Sequence, residues 1–218
     1  MSTLNELIAQ VALELRDPDH ATWSADELTA HLRRALRAYS LAAPRRLETL
    51  LTPAAGEREI SLSSLAGLLE VTDVWYPWDA EDQPATPPRP AWSLPADGLL
   101  RLEVAETPTG EDAARVFYTA LHTIADLDEA EATTLDAQGE GLVVLGASAH
   151  AAEQAAQALI GAVTISGRTP EQLIHWATER RRAFEAGLEA LQRRTILAQD
   201  ARAVWRADDR QDGRGGVV

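Results

Sequence analysis

Five histidines, at positions 20, 31, 122, 150 and 175, and a tight acidic run of Asp126, Asp128, Glu129 and Glu131 are the residues best suited to hold a metal. A zinc site needs ligands placed together, such as two histidines one helical turn apart with a further carboxylate or histidine. No two of these histidines have that spacing, and they read as isolated structural or surface residues. The acidic run lacks the spaced oxygens, central glycine and closing glutamate of a calcium loop, and reads as a solvated loop. Gly139-Glu140-Gly141 precedes a helical pattern, and a helix N-terminus can hold an anion. Neither phosphate-binding glycine signature is present, and the flanking acids repel phosphate, so this is read as a helix-start turn. No serine sits in a nucleophile elbow. The chain has no cysteine, which excludes disulfides, thiolate zinc sites and cysteine nucleophiles. No catalytic, cofactor-binding or metal-binding residue is assigned, and no cofactor is expected. The carboxylates are numerous enough that an unrecognised acid–base pair stays open as an alternative.

The 218 residues are 45% apolar, enough for one large domain or a domain with a sizeable insert. The net charge of −14 opposes general binding to nucleic acid or to anionic membranes. No apolar run reaches membrane-spanning length, and the N-terminus reads as an amphipathic helix, not a signal peptide. The expectation is a soluble protein made in the cytoplasm. All 20 basic residues are arginines, which a GC-rich genome explains without a functional reason. From residue 57 to residue 140 there are 18 acidic residues against 4 arginines, while the remainder holds 16 of each. The whole excess thus lies mid-chain, which suggests two regions with different surroundings.

The elements that must position these groups begin with a short amphipathic helix over residues 4–15, with Leu4, Leu7, Ile8, Val11 and Leu15 on one face and Thr3 and Glu6 as a capping box. Asp17-Pro18-Asp19 ends it. Trp23-Ser24-Ala25-Asp26-Glu27-Leu28 then starts a second helix. Ser24 is the N-cap, Glu27 completes a capping box, and Trp23 and Leu28 are placed as a hydrophobic staple. Leu28, Leu32, Ala35, Leu36 and Tyr39 form its buried stripe, Arg33, Arg34 and Arg37 lie off it, and Pro44 stops it. Strand patterns follow at residues 59–62, 71–76, 100–104 and 114–119. Residues 79–95 hold five prolines and read as an irregular loop. After Gly141, Leu142, Leu145, Ala149, Ala152, Ala156, Leu159 and Val163 repeat at helical spacings of three and four, and their alanines allow a partner helix to come close. Ser166-Gly167 closes this helix. Thr169-Pro170-Glu171-Gln172 opens a last one, with Leu173, Ala177, Phe184, Leu188 and Leu191 on one face, Gly187 as a weak point, and an end near Trp205. Residues after 207 read as a flexible tail.

The fold class is therefore mainly α with a β-rich insert: a four-helix bundle, with two N-terminal and two C-terminal helices, interrupted by a small β-rich subdomain. The expected divisions are 1–44 with 136–206 for the bundle, 45–135 for the acidic insert and 207–218 for the tail. A helical DNA-binding regulator is the alternative suggested by a short helix, a turn and an arginine-bearing second helix. The connection from Arg16 to Ser24 is longer than the usual turn of such motifs, and the second helix carries a full apolar stripe.

The order of landmarks resembles the head–tail adaptor, or connector, proteins in the neck of tailed bacteriophages. The resemblance runs through Leu4, Leu7, Val11, Leu15 and Asp17, then Trp23-Ser24 with Glu27-Leu28 and an alanine–arginine helix ending at Pro44. It continues through Trp92-Ser93-Leu94-Pro95, Leu102-Glu103-Val104, Val116-Phe117-Tyr118-Thr119-Ala120-Leu121-His122 and Thr133-Thr134-Leu135. The second helix has arginines and alanines where such proteins often carry an asparagine. The resemblance implies a structural, non-enzymatic virion protein located in the neck. It implies a homo-oligomer, a dodecameric ring of about a dozen copies, docked on the portal protein and followed by a further neck or tail protein. DNA would pass through the channel without sequence-specific binding, and no membrane is involved. It also implies that the C-terminal helix and tail reach the portal, with Arg202, Trp205, Arg206, Arg210, Val217 and Val218 as candidate contacts. For Trp205, packing on its own bundle is the competing reading.

Overall fold

The structure, a computed structural model, describes residues 2–79, 81, 87–159 and 169–208, the last of these without side chains after residue 197. Four helices and two small antiparallel sheets make up the described residues. The helices are α1 (Leu4–Leu15), α2 (Ala25–Ala42), α3 (Ala137–Ala158) and α4 (Pro170–Asp208). The strands are β1 (Arg45–Leu51), β2 (Glu59–Ser61), β3 (Leu68–Trp78), β4 (Ala91–Ala96), β5 (Leu99–Glu103) and β6 (Ala113–Ala120). The chain divides into two compact units, Met1–Ala43 with His122–Val218 and Pro44–Leu121.

In the helical unit, local signals and tertiary packing agree at each helix start. Ser24 Oγ accepts from the Glu27 amide at 3.3 Å, and the Ser24 amide donates to Glu27 Oε2 at 2.9 Å. Thr3 with Glu6 and Thr169 with Gln172 repeat this reciprocal pattern at α1 and α4. Each box satisfies amides that have no partner inside the helix. The predicted stripe of α2 is buried in full, and Arg33, Arg34 and Arg37 point outward. Residues of all four helices share one apolar cluster.

Two expectations about α3 are corrected. It starts at Ala137, with Asp136 as N-cap accepting from the Gly139 amide at 2.7 Å, so Gly139 and Gly141 lie inside the helix and not in a turn before it. Its apolar face is also wider than one stripe: Val143, Val144, Ala147 and Ala151 are buried along with Ala149, Ala152 and Ala156. The reason is that α1, α2 and α4 all pack against it. Glycine lets them come close. A Cβ on Gly139 would stand 2.7 Å from the Tyr39 hydroxyl oxygen, one on Gly146 2.8 Å from the Phe184 ring, and one on Gly187 of α4 2.6 Å from a Leu142 methyl. Val163, Ser166 and Gly167 lie outside the described residues.

The second unit is built from two three-stranded antiparallel sheets, in the orders β1-β6-β3 and β2-β5-β4. Ile60, Val71, Val74, Tyr76, Leu100, Leu102, Ala114 and Val116 form its core. Strand β1 has no counterpart among the predicted strands, because its two arginines and outward Leu50 spoil the alternation. Pairing with β6, Thr49 opposite Val116, imposes it. Part of the proline-rich segment expected to be irregular is strand β4, with Pro95 in it. Its only ladder partner among the described residues is β5 and its register shifts between Ser93 and Ala96, where the missing proline N–H falls.

Residues 122–135, expected with the insert, belong to the helical unit and supply Ile124, Leu127 and Leu135 to its core. The charge asymmetry disappears with this boundary. Residues 44–121 carry 13 acids and 6 arginines and the rest 21 and 14, a net of −7 in each unit.

Ser24→Ala should cost about 1 kcal/mol of stability in denaturant unfolding, the value of a lost N-cap. Gly146→Ala should destabilise by about 1–3 kcal/mol, since the Phe184 ring is buried and must shift. Gly187→Ala should be close to neutral, because the half-buried Leu142 tip can turn aside and alanine gains about 1 kcal/mol of helix propensity. Equal losses at the two glycines would contradict this account of the helix contacts.

Candidate interaction surfaces

The start of α2 comes together as its spacing suggests. Trp23 and Leu28 are both buried in the helical core, and Trp23 Nε1 donates to the Ala151 carbonyl of α3 at 3.2 Å. The approach to this helix is held by Asp17, whose carboxylate accepts from the amides of Ala21, Thr22 and Trp23 at 2.8–3.0 Å. Burial pushes the Asp17 carboxyl up, and the three amides, helped by His20, outweigh it and keep it below the usual range. The Ser24 amide and hydroxyl hold the Glu27 carboxyl below its usual range too. These groups position a helix.

The acidic run is partly engaged. Asp128 forms a two-pronged ion pair with Arg33 of α2, at 2.7 and 3.0 Å, and that guanidinium holds its carboxyl low. Among the described residues no group of three or more histidines and carboxylates is placed to hold a metal. His122 is a structural hub, with Nε2 2.9 Å from the Ala43 carbonyl, Nδ1 3.2 Å from Thr134, and its ring edge-on to Tyr39. His20 Nδ1 lies 3.2 Å from the Trp23 carbonyl. No helix among the described residues is long and apolar enough to cross a membrane.

Surface grooves line the helical unit. One, of about 220 Å³, runs along the start of α3 and the middle of α4 between Gly141, Leu142, Leu145, Gly187, Leu191 and Arg194. Beyond it α4 continues past the first turn of α3, with Ile196 49% and Leu197 67% exposed. Another, of about 500 Å³, lies between α1 and α4, where Arg180 covers the Trp176 ring at 4.3 Å and pairs with Glu14. Arg202, Trp205 and Arg206 stand in the last turns of α4, and their side chains lie outside the described residues. Arg210, Val217 and Val218 lie outside them altogether.

A further surface was not singled out in the sequence. On the face of the β1-β6-β3 sheet opposite the core, Trp75 and Phe117 lie 4.6 Å apart between ring centres, and Trp75 and Trp78 5.3 Å. The Arg115 guanidinium sits over all three rings, at 5.3 Å from Trp75, 4.6 Å from Trp78 and 5.2 Å from Phe117. Arg89 covers Trp75 from outside. Each arginine is neutralised within the face, Arg115 by Glu48 at 2.6 Å and Arg89 by Asp73 at 3.6 Å. The result is an uncharged platform of mutually tilted rings with paired guanidinium groups over them, a composition favoured at protein interfaces. The available signal was the strand alternation that sends Trp75 and Phe117 away from Val74 and Val116.

No family model matches the chain, and no curated protein matches it. Several solved structures align with it, among them the following three. The neck of an empty GTA particle computed with C6 symmetry aligns at 19% identity over 78% of this chain and 87% of that one, with a TM-score of 0.30. The neck of a native GTA particle computed with C12 symmetry aligns at 19% over 81% and 91%, with a TM-score of 0.29. The virion of a native gene transfer agent (GTA) particle aligns at 15% over 79% and 86%, with a TM-score of 0.30. Superpositions this loose establish neither the family nor the partners of this chain.

Arg115→Ala should destabilise the β unit by about 1–2 kcal/mol in denaturant unfolding, through loss of cation–π contacts in a partly desolvated setting. Arg115→Lys should recover little of this, because an ammonium cannot stack flat on three rings. Full recovery with lysine would show that only the ion pair to Glu48 matters.

Proposed function

We propose that this chain is a structural head–tail adaptor of a tailed phage or phage-like particle. It forms a ring that docks on the portal, connects it to the next neck or tail component and leaves a channel for DNA. The reading is carried by the order of landmarks from Leu4 to Leu135, which follows that of head–tail adaptors along most of the chain. In this reading the four helices form a bundle and the sheets an inserted subdomain. The shared apolar cluster of α1, α2, α3 and α4 and the separate core of the β unit agree with that arrangement.

The portal-facing element is the C-terminal part of α4 with the tail after it. Residues 195–208 extend α4 by roughly 20 Å at 1.5 Å per residue. A stretch of that length is marginal as a lone helix in water, and it carries exposed Ile196 and Leu197 at its start. Arg202, Trp205, Arg206, Arg210, Val217 and Val218 are the proposed contacts. The acidic character of both units suits a wall along which DNA slides, since negative surfaces do not grip phosphate. No enzymatic step is assigned.

The test is assembly on a purified portal, imaged by electron microscopy. The full chain should form a ring on one end of the portal, a truncation after Arg194 should fail to dock while the remaining helices stay folded, and Trp205→Ala should dock at least tenfold more weakly. That tenfold corresponds to about 1.4 kcal/mol for one aromatic anchor. Failure of the full chain to assemble, together with salt-dependent binding to duplex DNA, would instead favour a DNA-binding regulator.

A further inference from the structure

Two histidines, His31 of α2 and His150 of α3, stand inside the helical unit, each 8% exposed. His31 Nε2 and His150 Nδ1 are shut off from solvent and have no hydrogen-bond partner among the described residues. Phe184 of α4 closes over His150 edge-on, with ring centres 6.1 Å apart. The charges that bear on the pair are mostly of one sign. Arg34 of α2 acts on both rings and Arg181 of α4 on His150, while Glu27 of α2 is the carboxylate that acts on His31. The carboxylates nearest Arg181, Glu153 at 2.9 Å and Glu185 at 3.7 Å, are already engaged with it. Gln154 of α3 hydrogen-bonds His31 and, with Glu27, favours its charged form, but burial outweighs them.

We propose that His31 and His150 form an acid-sensitive latch, in which neutral imidazoles close the α2–α3–α4 interface and their protonation opens it. A charge placed on either ring loses water that no hydrogen bond replaces at the orphaned nitrogen. The like charge of Arg34, on the exposed side of α2, opposes it as well. Burial, with Arg34, His31 and Arg181 adding to it, pushes the His150 imidazolium down to about 4. Burial moves His31 in the same direction. In the unfolded chain both titrate near 6.5, as ordinary histidines do. Between these values the unfolded chain binds more protons than the folded one. The stability held by neutral histidines is therefore complete above about pH 6.5 and is lost progressively as pH falls toward 4. The β unit has no histidine at all, since all five lie at or beyond the ends of residues 44–121. The latch therefore acts on the helical unit alone.

Hydrogen exchange of the full chain, followed by mass spectrometry at pH 7 and pH 5 and corrected for intrinsic rates, tests this. Peptides of α2 and α3 should open at least tenfold more at pH 5, the size that about two pKa units of depression imply. Peptides of β6 should change less. In a double variant, His31→Gln with His150→Gln, the pH dependence of α2 and α3 should be lost. A wild-type protein without the acceleration, or a double variant that keeps it, overturns the proposal. If the double variant does not fold, the ring-proton resonances of the wild-type histidines decide. Two histidines that stay neutral at pH 5.5 support the latch, and ordinary titration of all five near 6.5 overturns it.

Discussion

The close approach of neighbouring helices to α3 is the constraint from which the rest of the helical unit follows. Helix α3 is covered by α1, α2 and α4, and it can be covered on so many sides only because its surface is small. Gly139 receives the Tyr39 hydroxyl and Gly146 the Phe184 ring, while the alanines at 147, 149, 151, 152 and 156 present little more than a methyl each. A helix so lined contributes few large side chains of its own. The bulk of the core comes instead from its neighbours, from Leu7, Val11, Leu28, Leu32, Leu36, Leu173 and Phe184. Dispersion and apolar burial then act across short distances, at packing close to that of a crystal. The same closeness leaves the buried polar groups little room, which is why His31 and His150 keep a nitrogen without a partner.

The segment that returns the chain to the helical unit after β6 depends on polar contacts as well as apolar ones. His122, Thr123, Thr133 and Thr134 join it to Ser40, Ala43, Ser2 and to one another. Leu4 donates its amide to the Ala125 carbonyl. The backbone takes left-handed conformations at Asp126, Asp128 and Glu129, where short acidic side chains are tolerated better than bulky ones. What reads in one dimension as a run of negative charge is a compact loop with Ile124, Leu127 and Leu135 inside and one carboxylate bound to Arg33. Its charge therefore belongs to the helical unit, and a division of the chain by composition alone puts the boundary about a dozen residues too late.

The starts of α1, α2 and α4, the buried stripe of α2 and four of the six strands were legible in the sequence because each depends on neighbours a few residues away. A capping box spans three residues, a staple five, and a strand's alternation two; such patterns survive in any tertiary setting that buries one face. Ser24, Glu27, Trp23 and Leu28 could thus be placed from spacing alone. Strand β1, strand β4, the first turn of α3 and the wide burial of that helix depend on partners 63 or more residues away in the case of β1 and β6, or on the meeting of several helices. The platform of Trp75, Trp78, Phe117 and Arg115 and the pairing of His31 with His150 are of this second kind. Their residues come from different elements, and no local spacing brings them together. The sequence by itself determined where elements begin, which faces are apolar and which chemistries are excluded, since these depend on residue type and short-range geometry. Tertiary structure alone decided which side chains share a surface and which titratable groups lose their water, because desolvation is a property of everything that surrounds a group.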